Sequence, residues 1–367
     1  MTVDAPLDPS LTHLTVLKLL HSTMISQPPA KRVRFGGAHT LSTPVRFLIL
    51  SDTHGAELPE NLPPCDVLLH CGDLTEDGTP ESVSAALQTL GKVKAKLKLV
   101  IAGNHEISLD KSYWLSQGET ETDSERAEAL VSSDASSEAS LNGITFLREG
   151  THTFTLACGA TFKVYASPYT PLYGASAFQY PSNEDRFNAS GTPPWAKNVG
   201  TETETIPNDV DIVMTHGPPK YILDTTSDDQ SAGCEHLRRA IARAQPRLHC
   251  FGHIHTPRRW FYQAHVLDFT GRGGAELDAG SDTKTITKVW IGTNSAHRKG
   301  YRSLPPGPAQ KFRENKQQTL CVNAAMEGTE PGVLEHPPWL VELDLPVQRD
   351  EREVEMGDAV GEETHLT

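Results

Sequence analysis

Five short apolar runs in this chain each stop on residues of types that hold metal ions. FLIL runs into Asp52 and His54, VLLHCG into Asp73, and LKLVIAG into Asn104 and His105; DIVMT runs into His216, and LHCFG into His253 and His255. A short continuous apolar run bounded by polar residues predicts a strand covered on both faces. In α/β folds the loops leaving such strands form the crevice where active residues collect. Asp52 and His54 are two apart, as are His253 and His255, so on an extended chain each pair can face one point. Any one of these residues alone reads as a turn residue or a helix cap. Five strand ends of the same kind read as one site, because converging strand ends are the expected layout of an α/β active centre.

What lies between the runs supports the same class. PESVSAALQTLGKVKAK, from Pro80, reads as an amphipathic helix with Val83, Leu87 and Leu90 on one face, and CEHLRRAIARAQP reads as a second helix. Strand, loop and helix alternate, which predicts an α/β architecture. Residues 143–171 alternate apolar and polar with glycine at the turns and predict antiparallel strands. Late strands are expected at 319–326 and 339–347. The predicted organisation is an N-terminal arm, 1–44, with little order; one domain, 45–347, carrying a polar excursion at 116–142 and a low-complexity insertion at 268–318; and a charged tail at 348–367. Residues 174–209 are expected as a long loop over the site.

Composition narrows the function. Of 367 residues, 37% are hydrophobic, enough for a sizeable core. The formal net charge of −14 argues against an extended nucleic-acid surface, which needs dense Lys and Arg, and leaves room for a small phosphate ligand held through metal ions. The six cysteines form no CxxC pair and read as small buried residues of a reducing compartment, so the expected location is the cytoplasm. No apolar run reaches membrane-spanning length, and the N-terminus shows no secretory pattern. KRVR at 31–34 reads first as a solvated charge cluster and second as a nuclear address.

The donor set is chemically specific. Asp52, His54, Asp73, Asn104, His216, His253 and His255 offer carboxylate, amide oxygen and imidazole but no thiolate, which excludes a structural cysteine-type zinc site. Such donors suit Mn, Fe, Zn or Co better than Ca or Mg alone. Seven donors exceed one tetrahedral ion and suit two ions of higher coordination. Two cations about 3.5–4 Å apart form the usual clamp for displacement at phosphorus.

In order and spacing, DTH (52–54), GD (72–73), GNHE (103–106), HGPP (216–219) and GHIH (252–255) resemble the calcineurin-like metallophosphoesterase superfamily. LLHCGDLTEDG, ASPYTPLYGASAFQY (166–180), HGPPKYILD and CVNAAM resemble, more narrowly, the metallophosphoesterase-domain-containing (MPPED-type) proteins. The resemblance covers about 45–345, apart from the two interruptions. It implies a four-layer α-β-β-α sandwich with two mixed sheets. It also implies two divalent metal ions, Mn first, with Fe, Zn, Co or Mg as alternatives. Asp52, His54 and His255 would bind one ion and Asn104, His216 and His253 the other, with Asp73 bridging. His105 would face the leaving-group oxygen. The implied activity is that of a phosphodiesterase, through metal-activated hydroxide, on cyclic nucleotides or related small phosphodiesters. A binding scaffold on the same fold is the rival reading. A phosphoprotein phosphatase is a weaker third, because no arginine follows Asn104-His105. No membrane partner is expected, and protein partners are left open. Glu106 and Asp77 are guesses for carboxylates that orient the histidines. His70, His236, His249 and His297 are expected outside the site, and Trp195, Tyr169 and Tyr173 in the segments that cover it.

Overall fold

Val45, Phe47 and Ile49 bury into one hydrophobic cluster while Leu48 and Leu50 bury into another, and this period-two division of a single strand sets the layering of the molecule. The computed structural model describes residues 41–255, 263–270 and 286–347. The strand in question is β1 (Ser42–Leu50). It pairs in parallel with β2 (Val67–His70), which pairs in parallel with β3 (Leu97–Val100), and that with β4 (Ile144–Phe146). A second sheet draws on β5 (Gly150–Thr155), β6 (Thr161–Ser167), β7 (Ile212–Thr215), β8 (Leu248–Phe251), β9 (Gln263–Asp268), β10 (Ile286–Trp290) and β11 (Gln318–Asn323). The last strand, β12 (Trp339–Pro346), returns to pair antiparallel with β1. The sheets run β12-β1-β2-β3-β4 and β10-β9-β11-β8-β7-β6-β5. Both are mixed: β6, β7, β8 and β11 run parallel, flanked by antiparallel β5, β9 and β10.

The two sheets face each other across one cluster that joins Phe47, Ile49, Val67 and Leu69 to Phe162, Val164, Met214 and Val322. Phe47 and Phe162 meet edge to face at 5.5 Å. Each such fully buried side chain is worth roughly 1.5–3 kcal/mol of transfer free energy. Behind the first sheet lies α1 (Pro80–Gly91), started by Thr79, whose hydroxyl accepts from Ser82 N, and by Pro80. Its Val83, Ala86, Leu87 and Leu90 pack on Leu48, Leu50 and Leu68. Behind the second sheet lies α5 (Glu235–Ala244), whose Leu237, Ala240 and Ile241 pack with Val213, Phe251 and Cys321. The α-β-β-α sandwich is therefore present in full.

Some boundaries differ from the sequence reading. β1 begins at Ser42 rather than Val45, because its first residues pair with Leu345 and Pro346 at the far end of β12. After α2 (Lys111–Ser116), the polar stretch 116–142 holds two helices, α3 (Glu121–Leu130) and α4 (Glu138–Leu141), capped by Thr120 and Ser137. Within the low-complexity insertion expected at 268–318, residues 286–314 form regular elements: β10 and two helices, α6 (Thr293–Lys299) and α7 (Pro306–Glu314). Sparse apolar residues suffice there: Val289, Ile291, Ala296 and Phe312 all reach the inter-sheet core. Arg247 donates to Phe312 O at 2.7 Å and stacks on its ring. The KRVR segment, the tail and 271–285 lie outside the described residues. All six cysteines are free, and Cys158 alone of them is exposed. No helix among the described residues is long and apolar enough to cross a membrane.

Candidate metal centre

The five strand ends meet at one edge of the sandwich. After β1 the chain is zipped to the loop after β2: Asp52 N donates to Gly72 O at 3.0 Å, Thr53 N to Asp73 O at 2.9 Å and Gly55 N to Leu74 O at 2.7 Å. Across the sheets, His253 N donates to both carboxylate oxygens of Asp52, at 2.9 and 3.0 Å. Two glycines make this approach possible. A Cβ at Gly252 would lie 1.9 Å from Asp52 Oδ2, and one at Gly103 would lie 2.3 Å from Asp73 Oδ1. Their role is close packing of backbone on carboxylate, not loop flexibility. Asp52, His54, Asp73 and His253 all hold left-handed backbone, with φ of 53°, 45°, 52° and 67°. For side chains with a Cβ this costs of order 1–2 kcal/mol each, and such strain gathers at functional sites.

The donors fall into two groups. Asp73, His216 and His253 place ligand atoms within 4.8 Å of one another, as do Asp52, His54 and His255. In the first, His216 Nδ1–H donates to Cys71 O at 2.8 Å, which leaves Nε2 facing Asn104 Oδ1 at 2.9 Å and Asp73 Oδ2 at 3.2 Å. Asn104 is itself held: its Nδ2 donates to Ser176 Oγ, and that hydroxyl donates to Asn104 O. In the second, His255 Nε2 lies 2.9 Å from Asp52 Oδ1. Asp73 Oδ2 reaches toward this group too, 3.9 Å from His54 Nε2, and so stands between the two.

Burial opposes the charge on each of these groups, and the neighbours decide the outcome. For Asp52, burial is outweighed by the hydrogen bond and charge of His255, which bring its pKa down to about 2. Asp73 is held well below the carboxylate range: burial is overcome chiefly by His216, with His105 and His54 adding to it. His216 is pushed up to about 9, against its burial, by Asp73 and then Asp52. His253, packed edge-on against His216 at 4.9 Å, is depressed to about 4 by burial and by that neighbour's charge.

His54 is different. Its side chain is buried, yet neither ring nitrogen makes a hydrogen bond. Glu76 Oε2 comes within 3.0 Å of Nδ1 and Glu327 Oε2 within 3.1 Å of Nε2, at angles that make no hydrogen bond. A buried imidazole without a hydrogen bond, among carboxylates and other imidazoles, fits a cation. His105 sits to one side, its ring 4.7 Å from that of His54 and its Nδ1 2.7 Å from Glu76 O. Burial works against its charge, but Asp73, the Glu76 carbonyl and the Glu76 and Glu106 carboxylates raise its pKa.

All seven predicted donors and His105 are thus brought together. Glu106 is an organiser, though not of histidines. It accepts from Asp73 N, Gly103 N, Thr75 N and the Thr75 hydroxyl, tying the Asp73 loop to the Asn104 loop through one carboxylate. Asp77 plays no such part and accepts from Thr79 ahead of α1. Glu76, Glu327 and Ser176 were missed. Glu76 stands three residues after Asp73 and Glu327 directly after the late CVNAAM run, positions that carry no spacing signal. His70 and His249 are core residues, each paired with a threonine hydroxyl at 3.0 Å. Trp195 stacks on His236 at 5.0 Å, and Tyr173 is exposed.

The family described as calcineurin-like phosphoesterase matches residues 45–257. Human metallophosphoesterase domain-containing protein 1 is 31% identical over 236 residues, 62% of this chain and 67% of that protein; the mouse protein matches to the same extent. A UPF0046 protein of Caenorhabditis elegans is 32% identical over 58% of this chain and 63% of its own length. A protein of Emericella nidulans named "Probable rhamnogalacturonate lyase C" is 38% identical over 58% of this chain, a match that spans only 17% of that longer protein.

Proposed function

The chain belongs to the calcineurin-like phosphoesterase family, and we propose that it is a two-metal phosphodiesterase acting on cyclic nucleotides or related small diesters, with Mn the first cation to test. The observation that carries this reading is the convergence of seven oxygen and nitrogen donors in two adjoining groups, one of them holding a His54 ring that makes no hydrogen bond. Asp52, His54 and His255 would hold one cation and Asn104, His216 and His253 the other, with Asp73 shared. Bound there, two divalent cations supply the Lewis acidity that makes water a nucleophile near neutral pH and offsets charge on the phosphoryl oxygens.

The chain's own groups do the rest. His216 commits Nδ1–H to Cys71 O, which leaves Nε2 as the ring atom that would face a cation. Asp73 Oδ1 accepts from His105 N, so the carboxylate between the two donor groups also fixes the backbone of the acid. His105 commits Nδ1–H to the Glu76 carbonyl, so its titrating proton sits on Nε2. Its raised pKa keeps that proton in place above the ordinary histidine value, as suits an acid that protonates a departing alkoxide. Diester over monoester is favoured by Arg186. It packs on Tyr169, just past the strand end beside His216, and is neutralised by Glu149 and Glu204 rather than held ready for a phosphate dianion.

The test is hydrolysis of bis(4-nitrophenyl) phosphate and of 4-nitrophenyl phosphate by metal-stripped protein, before and after Mn is restored. The expected result is Mn-dependent turnover with the diester preferred. His105→Ala should lower turnover roughly 10²-fold with metal content unchanged. Folded protein that binds two ions and hydrolyses neither ester would overturn the reading in favour of a scaffold. A preference for the monoester would overturn the diesterase assignment alone. A cyclic-nucleotide panel then separates substrate classes.

A further inference from the structure

Beyond the seven donors, two carboxylates face the Asp52 group at His54: Glu76, whose side chain is exposed, and Glu327, whose side chain is buried. Glu327 is 5% exposed, and it follows β11 on a segment bonded directly to the first donor strand. Met326 N donates to Ser51 O at 3.0 Å, and Glu327 N donates to Asp52 O at 3.2 Å. The segment then folds back on itself through a bridge between Glu327 and Leu334. Gly332 N donates to Glu327 Oε1 at 2.7 Å, which fixes the carboxylate and turns Oε2 toward the histidines. That oxygen stands 3.1 Å from His54 Nε2 and 3.9 Å from His255 Nδ1. Neither contact is a hydrogen bond, and no arginine or lysine pairs with Glu327 among the described ion pairs.

We propose that Glu327 is an eighth ligand, supplying a second carboxylate to the cation held by Asp52, His54 and His255. This rests on the two-metal reading given above. Two donors side by side on one ion, each about 2.1 Å from it, stand about 3 Å apart. Oε2 and His54 Nε2 show that separation, at 3.1 Å, without hydrogen-bond geometry, which favours a shared ion over a direct bond. A carboxylate brought into a buried site without an arginine or lysine partner is otherwise costly. As a ligand it makes the two cation positions unequal. One would be served by Asp52, Asp73 and Glu327, the other by Asp73 alone among carboxylates. The Asp52 position is then the more anionic and holds its ion more tightly.

The experiment is Mn binding to metal-stripped, full-length protein by calorimetry, with bound metal counted by elemental analysis, for wild type, Glu327→Gln and Glu327→Asp. Glutamine keeps the volume and can keep the Gly332 bond through its carbonyl oxygen, while losing the charge. The expected outcome is two ions in wild type and an affinity loss of at least tenfold for one ion in Glu327→Gln, the other unchanged. Glu327→Asp, with charge but a shorter reach, should fall between. Wild-type affinities at both positions in the two variants would overturn the Glu327 assignment while leaving the two-metal centre standing. A lower unfolding midpoint with both affinities intact would assign Glu327 to the fold and overturn the proposal equally. If Glu327→Gln does not fold, Glu327→Asp decides alone: unchanged affinity at both positions rejects the ligand role. Wild type that binds no ion would sink the two-metal reading itself, a result distinct from all of these.

Discussion

The two halves of the centre are built on opposite plans. Around Asp73, two donors are fastened by the protein's own hydrogen bonds: His216 by Cys71 O and Asp73, Asn104 by Ser176 and His216. Around Asp52, the carboxylate is fastened by His253 N and His255, but His54 makes no hydrogen bond and faces Glu76 and Glu327 at close range. One half is held by hydrogen bonds; the other contains a ring that faces carboxylates without bonding them. These are different ways to hold a metal, and their costs fall in different states. The first half stabilises the metal-free protein, and the second loads its free energy onto binding.

The sharpest way to break this comparison is to remove one histidine from each half. His54→Ala and His216→Ala should each lower turnover by roughly 10³-fold, since each takes a donor from one cation of the pair. In metal-free protein they should part company. His216→Ala leaves Asp73 buried without its main partner and should cost about 3–5 kcal/mol in chemical denaturation. His54→Ala removes an unpaired polar ring and should change stability by about 1 kcal/mol or less. Equal costs in the two variants would end the distinction.

A second prediction uses pH. Because the folded pKa of His216 is raised to about 9, its contribution to metal-free stability is whole below 6.5 and fades as pH climbs through about 9. Asp52, lowered to about 2, contributes above 3.8 and loses that contribution as pH falls through about 2. Alkali should therefore loosen the Asp73 half of the metal-free protein while sparing Asp52. By the same logic, metal uptake at pH 7.5 should release about one proton, from His216, measurable as a dependence of binding heat on buffer ionisation. His216→Ala should remove His216's share of that release. The smallest effect is expected from Ser176→Ala, which frees the Asn104 amide: about a tenfold loss of affinity for one ion only.

The sequence showed the donors because each one ends an apolar run, and the burial of those runs on both faces fixes where they end. It did not show that Asp52, His54, Asp73 and His253 sit on left-handed backbone, since that conformation comes from loops of both sheets being zipped together. Glu327 and Ser176 were invisible for a related reason. Their partners are 273 and 72 residues away, counting from His54 and Asn104, and no local pattern encodes such a meeting. Glu106 was noticed through the GNHE block but given the wrong task, because an acid beside histidines suggests a partner for rings, whereas its oxygens take backbone donors. Residues 286–314 looked like a spacer because four buried apolar side chains are too few to register as periodic, though enough to dock two short helices and an edge strand.

The left-handed positions also bear on how such a chain can change over time. Aspartate, asparagine, histidine and glycine tolerate that backbone best, and the first three also offer metal donors. At 52, 54, 73 and 253 the backbone and a bound metal would therefore favour the same residues. A descendant released from metal binding would not drift there toward any residue at all. It would drift toward glycine, which relieves the strain and offers no donor. Glycine at such a position in a related chain would mark a lost function on a preserved fold.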